Sequence, residues 1–413
     1  MAIFHPFQAL RPTAEEAPHV AALPYDVVTR KEAEEIGRRE PHSFLHVDCA
    51  EIDLEGTIDS YSQEVYAKAA SNLKKLEREG ILVQDTEKCF YIYQLIRKGK
   101  AQTGVVGVCS IDDYLNGIIR RHELTRKEKE QDRVCHVEVC SAQTGPIFLT
   151  YREKKEVQAI TSDWMKNHVP VYDFVDEYGI GQKVWVVDAQ EVIQVLADAF
   201  GEIPSMYIAD GHHRAAAAVR TGLQRRKENQ EASRLESDYF LGVAFPEEEL
   251  TILPYNRVVR DLNGLSVKAF LGAVKFNFEL MIMPGGFPCL PIEKHCIGMY
   301  VDGQWYHLKA WPDLYEGKDV LLQLDVELLQ DKVLCPVLGI ENPRVDERIS
   351  FVGGNVKARD LAAMADATGG AAFVMYPTSI EDLMSIADAG EVMPPKSTWF
   401  EPKLRSGLFI HKI

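Results

Sequence analysis

The residues best equipped for chemistry stand together in the stretch 206–220, M-Y-I-A-D-G-H-H-R-A-A-A-A-V-R. Met206, Tyr207 and Ile208 read as a short apolar strand, and residues 215–219 open an alanine-rich helix. Asp210, Gly211, His212, His213 and Arg214 therefore fall at a strand-to-helix turn. Asp210 stands where an N-cap carboxylate would accept from the free N–H groups of the first helical turn. Gly211 lets a ligand approach the backbone closely. The helix start offers unpaired N–H groups and the positive end of a dipole, which suits a phosphate. Arg214, about one turn in, adds a bidentate clamp for phosphate or carboxylate. A capped helix with two locally bonded histidines would account for any one of these residues; the cluster points to a site.

Two further groups carry chemistry. Arg121, His122 and Glu123 precede Thr125, which reads as a helix N-cap, so the pair His122-Glu123 falls in a loop rather than on an exposed helical face. A carboxylate there suits a general base for an alcohol, which does not ionise by itself at neutral pH. The surrounding run, R-R-H-E-L-T-R-K-E-K-E-Q-D-R over residues 120–133, also fits a solvated helix with i,i+4 pairs. Near the C-terminus, Lys396, Ser397, Thr398, Lys403 and Arg405 set cations and hydroxyls among prolines. That segment either closes over a phosphorylated ligand or braces the terminus; Lys396, Ser397 and Lys403 are accessory candidates, as is His122.

Metal ligation by the adjacent pair His212-His213 is disfavoured. Neighbouring positions at a helix start point about 100° apart, whereas a zinc site prefers i,i+4 spacing. No protein-ligated metal is expected. A Mg²⁺ held by nucleotide phosphates with one or two carboxylates stays open. There is no Walker A sequence, no kinase-type glycine loop and no dinucleotide fingerprint.

The elements that must position these residues alternate between strand and helix. Residues 89–97 and 103–110 read as strands joined by the turn Lys98-Gly99-Lys100, and a second hairpin is expected around Asp302-Gly303. Thr29 with Glu32 forms a capping-box pattern, and the run 43–47 reads as a strand. The pattern predicts an α+β (mixed α/β) protein. A chain of 413 residues suggests two or three domains. The expected boundaries are 1–110, an N-terminal α/β region; 111–246, a phosphate-binding core; and 247–413, a C-terminal α/β region. The net charge of −16 disfavours nucleic acid and anionic membranes as partners. No apolar run is long enough to span a bilayer, no signal-peptide pattern is present, and eight scattered cysteines fit reduced thiols in a cytoplasm.

Five segments together carry a resemblance. P-Y-D-V at 24–27, P-x-S-F-L-H-V at 41–47, R-H-E-x-T at 121–125, D-G-H-H-R at 210–214 and M-P-P-K-S-T-x-F-x-P-K at 393–403 are similar to the marks of the proteins grouped as domain of unknown function 1015. The match runs from one end of the chain to the other. The central part also resembles the ParB/sulfiredoxin-like superfamily, whose phosphate box G-x-x-R-x-x-A is met by Gly211, Arg214 and Ala217. Free serine kinases of that superfamily carry both an H-E pair and a D-G-H-H-R box.

What the resemblance implies is a central ParB/sulfiredoxin-like domain with N- and C-terminal α/β additions. Its activity would be transfer of a phosphoryl group from ATP or ADP, with Mg²⁺, to the hydroxyl of free L-serine or a related metabolite. Glu123 would be the base, Asp210 would assist the hydroxyl or the Mg²⁺, and Gly211, His212, His213 and Arg214 would cradle the phosphates. The separation of Glu123 from Asp210 exceeds that in the compact kinases, so an insertion lies between the two boxes. The alternative is a non-catalytic ParB-like nucleotide-binding switch or interaction protein. The expected partners are a nucleotide and a small hydroxylated metabolite, with no nucleic acid and no membrane; an oligomer is left open.

Overall fold

Runs such as F-Y-I-Y-Q-L-I-R are rich in aromatic and β-branched residues, which pack well on a pleated surface. In the computed structural model, which describes residues 1–56, 58–229 and 234–413, they build the sheet that carries the site. The chain divides into two units, residues 1–250 with 402–413 and residues 251–401.

Among the described residues, the first unit is organised on a nine-stranded mixed sheet. In chain order its strands are β1 (Phe4–His5), β2 (Phe90–Arg97), β3 (Lys100–Ser110), β4 (Ile119–Arg120), β5 (Ile147–Tyr151), β6 (Tyr172–Val175), β7 (Gly181–Val187), β8 (Met206–Asp210) and β9 (Tyr239–Pro246). They lie in the order β4-β8-β5-β9-β3-β2-β7-β6, with β1 on β3. Most neighbours are antiparallel, but β8 runs parallel to β4, and β9 parallel to β5.

The longer helices of this unit are α1 (Arg30–Arg39), α2 (Gln63–Arg78), α3 (Lys127–Cys140), α4 (Lys155–Asn167), α5 (Gln190–Gly201) and α6 (His212–Glu228). A capping box starts α1 as the sequence predicts, with the Thr29 side chain accepting from the Glu32 N–H and Glu32 accepting in return. A shared core joins Met206 and Ile208 of β8 to Ala215, Ala218 and Val219 of α6, together with Phe4, Phe90 and Phe200. The small residues of α6 let its backbone lie close to the sheet, so the turn between β8 and α6 is held at both ends. Although highly charged, α3 is not a free solvated helix. Val134, His136 and Val137 are buried, and Arg220 and Arg225 of α6 reach Glu130 and Glu138 of α3 at 3.7 and 3.6 Å.

The second unit holds a six-stranded antiparallel sheet. Its strands are β10 (Tyr255–Val259), β11 (Phe278–Ile282), β12 (Cys296–Val301), β13 (Gln304–Ala310), β14 (Ile349–Gly353) and β15 (Ala371–Val374). They take the order β11-β13-β12-β15-β10-β14. The expected Asp302-Gly303 hairpin joins β12 to β13, both loop residues having positive φ. The helices Val267–Val274, Asp325–Leu329, Ala358–Asp366 and Ile380–Asp388 accompany the sheet.

The structure differs from the sequence-based expectations in several places. No break falls at residue 110, because β3 pairs with β1, β2 and β9 inside one sheet. The last residues do not stay with the region that precedes them. Leu404, Leu408, Phe409 and Ile410 are buried in the first unit, and Ile410 exchanges backbone bonds with Leu10. The expected strand over 43–47 is a helical turn, Leu45–Asp48, with Leu45, Val47 and Asp48 buried; a short apolar run does not by itself separate a strand from a buried helix. No helix among the described residues is long and apolar enough to cross a membrane.

Candidate functional site

Two parallel strands deliver the two chemical boxes to one edge of the sheet. Met206 of β8 pairs with Ile119 of β4, and Tyr207 with Arg120. Two residues beyond Arg120 the chain reaches His122 and Glu123, and just beyond Ala209 it reaches the turn. Ligand sites of α/β sheets lie outside the carboxyl ends of strands, where loop residues from neighbouring strands converge. The register on β5 shifts between Ile208, opposite Leu149, and Asp210, opposite Phe148, so Ala209 is the extra residue of a bulge just before the turn.

Gly211 turns the chain into α6 with φ 91° and ψ 29°, a left-handed conformation that L side chains rarely adopt. It is the N-cap of α6 and, being glycine, offers no side chain to cap the helix. Asp210 is therefore not the N-cap that its position suggests. Its Oδ2 instead lies 3.0 Å from Lys403 Nζ, with the two side chains 27% and 9% exposed. Burial by itself would push the Asp210 carboxyl up, but the Lys403 ammonium and the Arg214 guanidinium together hold it well below the usual carboxylate range. Asp210 is thus a fixed anion, and Lys403 is a fixed cation at the turn.

The Arg214 guanidinium folds back over Gly211, and its Nη1 donates to the Pro146 carbonyl at 2.6 Å. A Cβ on residue 211 would stand 3.1 Å from Arg214 Nη2. The same guanidinium lines a cavity of about 30 Å³ with Tyr25, Asp48, Arg133, His136 and Thr144, room for about one water. Around that cavity Arg133 lies 3.9 Å from the Tyr25 ring centre, Thr144 donates to Asp48 at 2.7 Å, and His136 bonds the Val47 carbonyl. The motif at 24–27 holds Tyr25, to which the sequence assigned no role, and Asp48 directly follows the motif at 41–47.

His212 and His122 are 6% and 2% exposed, and their rings meet edge to face with centroids 4.5 Å apart at 89°. Burial, then the neighbouring His212, pushes the His122 ring down to about 3. Burial pushes His212 down to about 4, against the pull of Asp210 and with help from His213. Both rings are neutral at pH 7. His122 bonds the Ile208 carbonyl, while its Nδ1 and the Nε2 of His212 have no hydrogen-bond partner among the described residues. Half-buried Glu123 joins them: a carboxylate oxygen and one nitrogen of each ring all lie within 4.8 Å of one another. The exclusion of a metal rested on the adjacent pair His212-His213, whereas the ring that the fold sets beside His212 is His122.

His213 turns elsewhere. Its Nε2 accepts from the Arg126 backbone N–H at 3.1 Å and ties the turn to the start of α3. Arg126, not Thr125, is the N-cap of α3, and Thr125 donates to Glu130 at 2.8 Å. Lys396 and Ser397 belong to the second unit. There the Lys396 ammonium lies 5.5 Å from the Tyr255 ring centre, and Ser397 Oγ donates to the Pro394 carbonyl at 2.7 Å. Ser397 is buried and braces its own turn. The structure thus joins His122, Glu123, Asp210, Gly211, His212 and Lys403 around one strand edge, and commits Arg214 and His213 in part to structural bonds.

Fold and site together define a mixed α/β protein with an anion-suited strand–turn–helix at the carboxyl ends of two parallel strands. The chain belongs to the family described as "Protein of unknown function (DUF1015)", which it matches over residues 4–327. No curated protein matches it. Among solved structures it is similar to a free serine kinase in complex with AMP, at 12% identity and a TM-score of 0.36, over 73% of this chain and 90% of that one. A conserved hypothetical protein from Pyrococcus furiosus matches at 12% identity and a TM-score of 0.37, over 76% of this chain and 96% of that one. SbnI with a C-terminal truncation, from Staphylococcus aureus, matches at 11% identity and a TM-score of 0.39, over 74% and 86%.

Proposed function

We propose that the protein is a nucleotide-dependent phosphotransferase acting on the hydroxyl of a small metabolite, with free L-serine the first acceptor to test. The observation that carries this reading is the approach of the Glu123 carboxylate to His212, which joins a base to an anion-suited turn. In this reading Glu123 accepts the hydroxyl proton. The uncapped N–H groups at the start of α6 hold the transferred phosphate, with Lys403 and Arg214 supplying positive charge. Positioning and charge neutralisation supply most of the catalysis of phosphoryl transfer. Mg²⁺ bound with the nucleotide takes phosphate oxygens and one or two carboxylates. Asp210 is the carboxylate that fits this demand, and the ion would neutralise charge on the phosphates. The eight cysteines are free thiols, which supports our assignment to a reducing cytoplasm.

The test is a coupled assay for phosphoserine with ATP or ADP and Mg²⁺, extended to a panel of hydroxylated metabolites. Product above that of a Glu123→Gln control is expected; none from either nucleotide across the panel overturns the reading. One observation favours a second reading, a nucleotide-binding switch without turnover. Asp210 is tied to Lys403 and Arg214 to Pro146, so a phosphate entering the turn would have to exchange these bonds. A nucleotide-dependent change in assembly without product would identify the switch.

A further inference from the structure

The strongest unexplained feature of the first unit is the meeting of His122, Glu123 and His212. Two buried imidazoles stand edge to face, and each keeps one ring nitrogen without a hydrogen-bond partner among the described residues. Leaving a buried polar atom unpaired costs on the order of a lost hydrogen bond. Here it happens twice, within a few ångströms and beside a carboxylate. We propose that His122 Nδ1, a Glu123 carboxylate oxygen and His212 Nε2 form a three-ligand site for a transition-metal divalent cation of the zinc type.

The donor set decides the class of ion. Two imidazoles with one carboxylate suit Zn²⁺ and its first-row neighbours, while Mg²⁺ and Ca²⁺ demand oxygen ligands. Three protein ligands leave a tetrahedral ion one open position, as in catalytic rather than structural zinc sites. His122 already has the support expected of a ligand, since the Ile208 carbonyl bonds the ring while Nδ1 stays unpaired. Zn–N bonds of about 2.0–2.1 Å put tetrahedral ligand atoms roughly 3.3 Å apart. A Glu123 carboxylate oxygen and one nitrogen of each ring lie within 4.8 Å of one another, so binding the ion would draw both rings and the half-buried Glu123 side chain inward.

The inference goes beyond phosphoryl transfer. With the ion bound, Glu123 is a ligand and not a free base. His122 and His212 come together here from positions 90 residues apart in the chain, which sequence spacing does not reveal.

The test uses the full chain without nucleotide, stripped with a chelator, kept reduced and titrated with Zn²⁺ against a competing chromophoric chelator. One tight equivalent is expected. His122→Asn and His212→Asn should each weaken it at least about 100-fold, as loss of a ligand exceeds the effect of outer-shell changes. His19→Gln, an exposed histidine paired with Glu40, should leave it unchanged. Co²⁺ should give visible d–d bands that excess Mg²⁺ does not displace and that Glu123→Gln alters. Because Glu123 is half-buried in a loop, that variant carries the test if a histidine variant does not fold. A wild-type chain that takes up no tight equivalent, or an equivalent retained by all the ligand variants and so held by cysteines, overturns the proposal. As no nucleotide is present, failure here is separate from failure of the phosphotransfer assay.

Discussion

Replacing Lys403 with Met removes the cation that faces Asp210 and leaves a stem of similar length. At 3.0 Å, two unit charges attract by about 5.5 kcal/mol at an effective dielectric constant of about 20. Desolvation of both groups offsets much of this. Breaking a buried pair costs about 3–5 kcal/mol and a surface pair about 0–1. With Lys403 9% and Asp210 27% exposed, and with Arg214 still contributing positive charge, a loss of about 2–3 kcal/mol at pH 7 is expected. The Asp210 carboxyl is depressed in the folded state, so its contribution is present above the unfolded value of about 3.9 and is lost as pH falls through the folded one. The difference between wild type and Lys403→Met should therefore be full at pH 7 and narrow below about pH 4. The assay is urea unfolding read by pulsed hydrogen exchange on residues 206–210, so that the second unit's transition does not enter. Asp210→Asn and the double variant complete the cycle, with a coupling energy of at least about 1.5 kcal/mol expected. A loss under about 0.5 kcal/mol, or a gap that widens in acid, would refute the reasoning.

Other outcomes follow from the same geometry. Gly211→Ala must hold φ near 91° and crowd Arg214; a loss of about 1–2 kcal/mol, seen by calorimetry, should accompany at least tenfold weaker nucleotide binding. His122 and His212 are pushed down to about 3 and 4 from 6.5, so their stability is present above pH 6.5 and lost as pH falls from there towards 4. One pKa unit is about 1.4 kcal/mol, so the His212 shift alone is worth about 3 kcal/mol on full titration; a flat profile between pH 6.5 and 4, or one unchanged in His212→Gln, would contradict this. Arg405 is 3% exposed and bonds Asp176 through Nε at 3.0 Å and Nη2 at 2.5 Å. Arg405→Lys loses the planar fork and should cost about 2–4 kcal/mol, lower the melting temperature, and weaken nucleotide binding by loosening the segment that carries Lys403.

The chain's local chemistry was legible without coordinates. An apolar strand, one glycine and a run of alanines determine the strand–turn–helix at Asp210 and Gly211, because each depends only on neighbours along the chain. The same holds for the Thr29 capping box and the Asp302-Gly303 turn. Side-chain destinations were less legible. Asp210 had the sequence signature of an N-cap and became the partner of Lys403, because a cation brought 193 residues along the chain competes with nearby N–H groups. The run at 43–47 looked extended and became a helical turn, since burial rather than propensity decides short apolar segments.

What the sequence by itself determined is the anion-suited turn and the residue types around it. What only the tertiary structure decided is their company: the parallel pairing of β4 with β8 that sets His122 and Glu123 beside His212, and the return of residues 402–413 that seats Lys403 against Asp210. The physical reason is range. Backbone propensity and capping act over a few residues, whereas strand pairing and chain return are fixed by burying apolar surface contributed from distant parts of the chain.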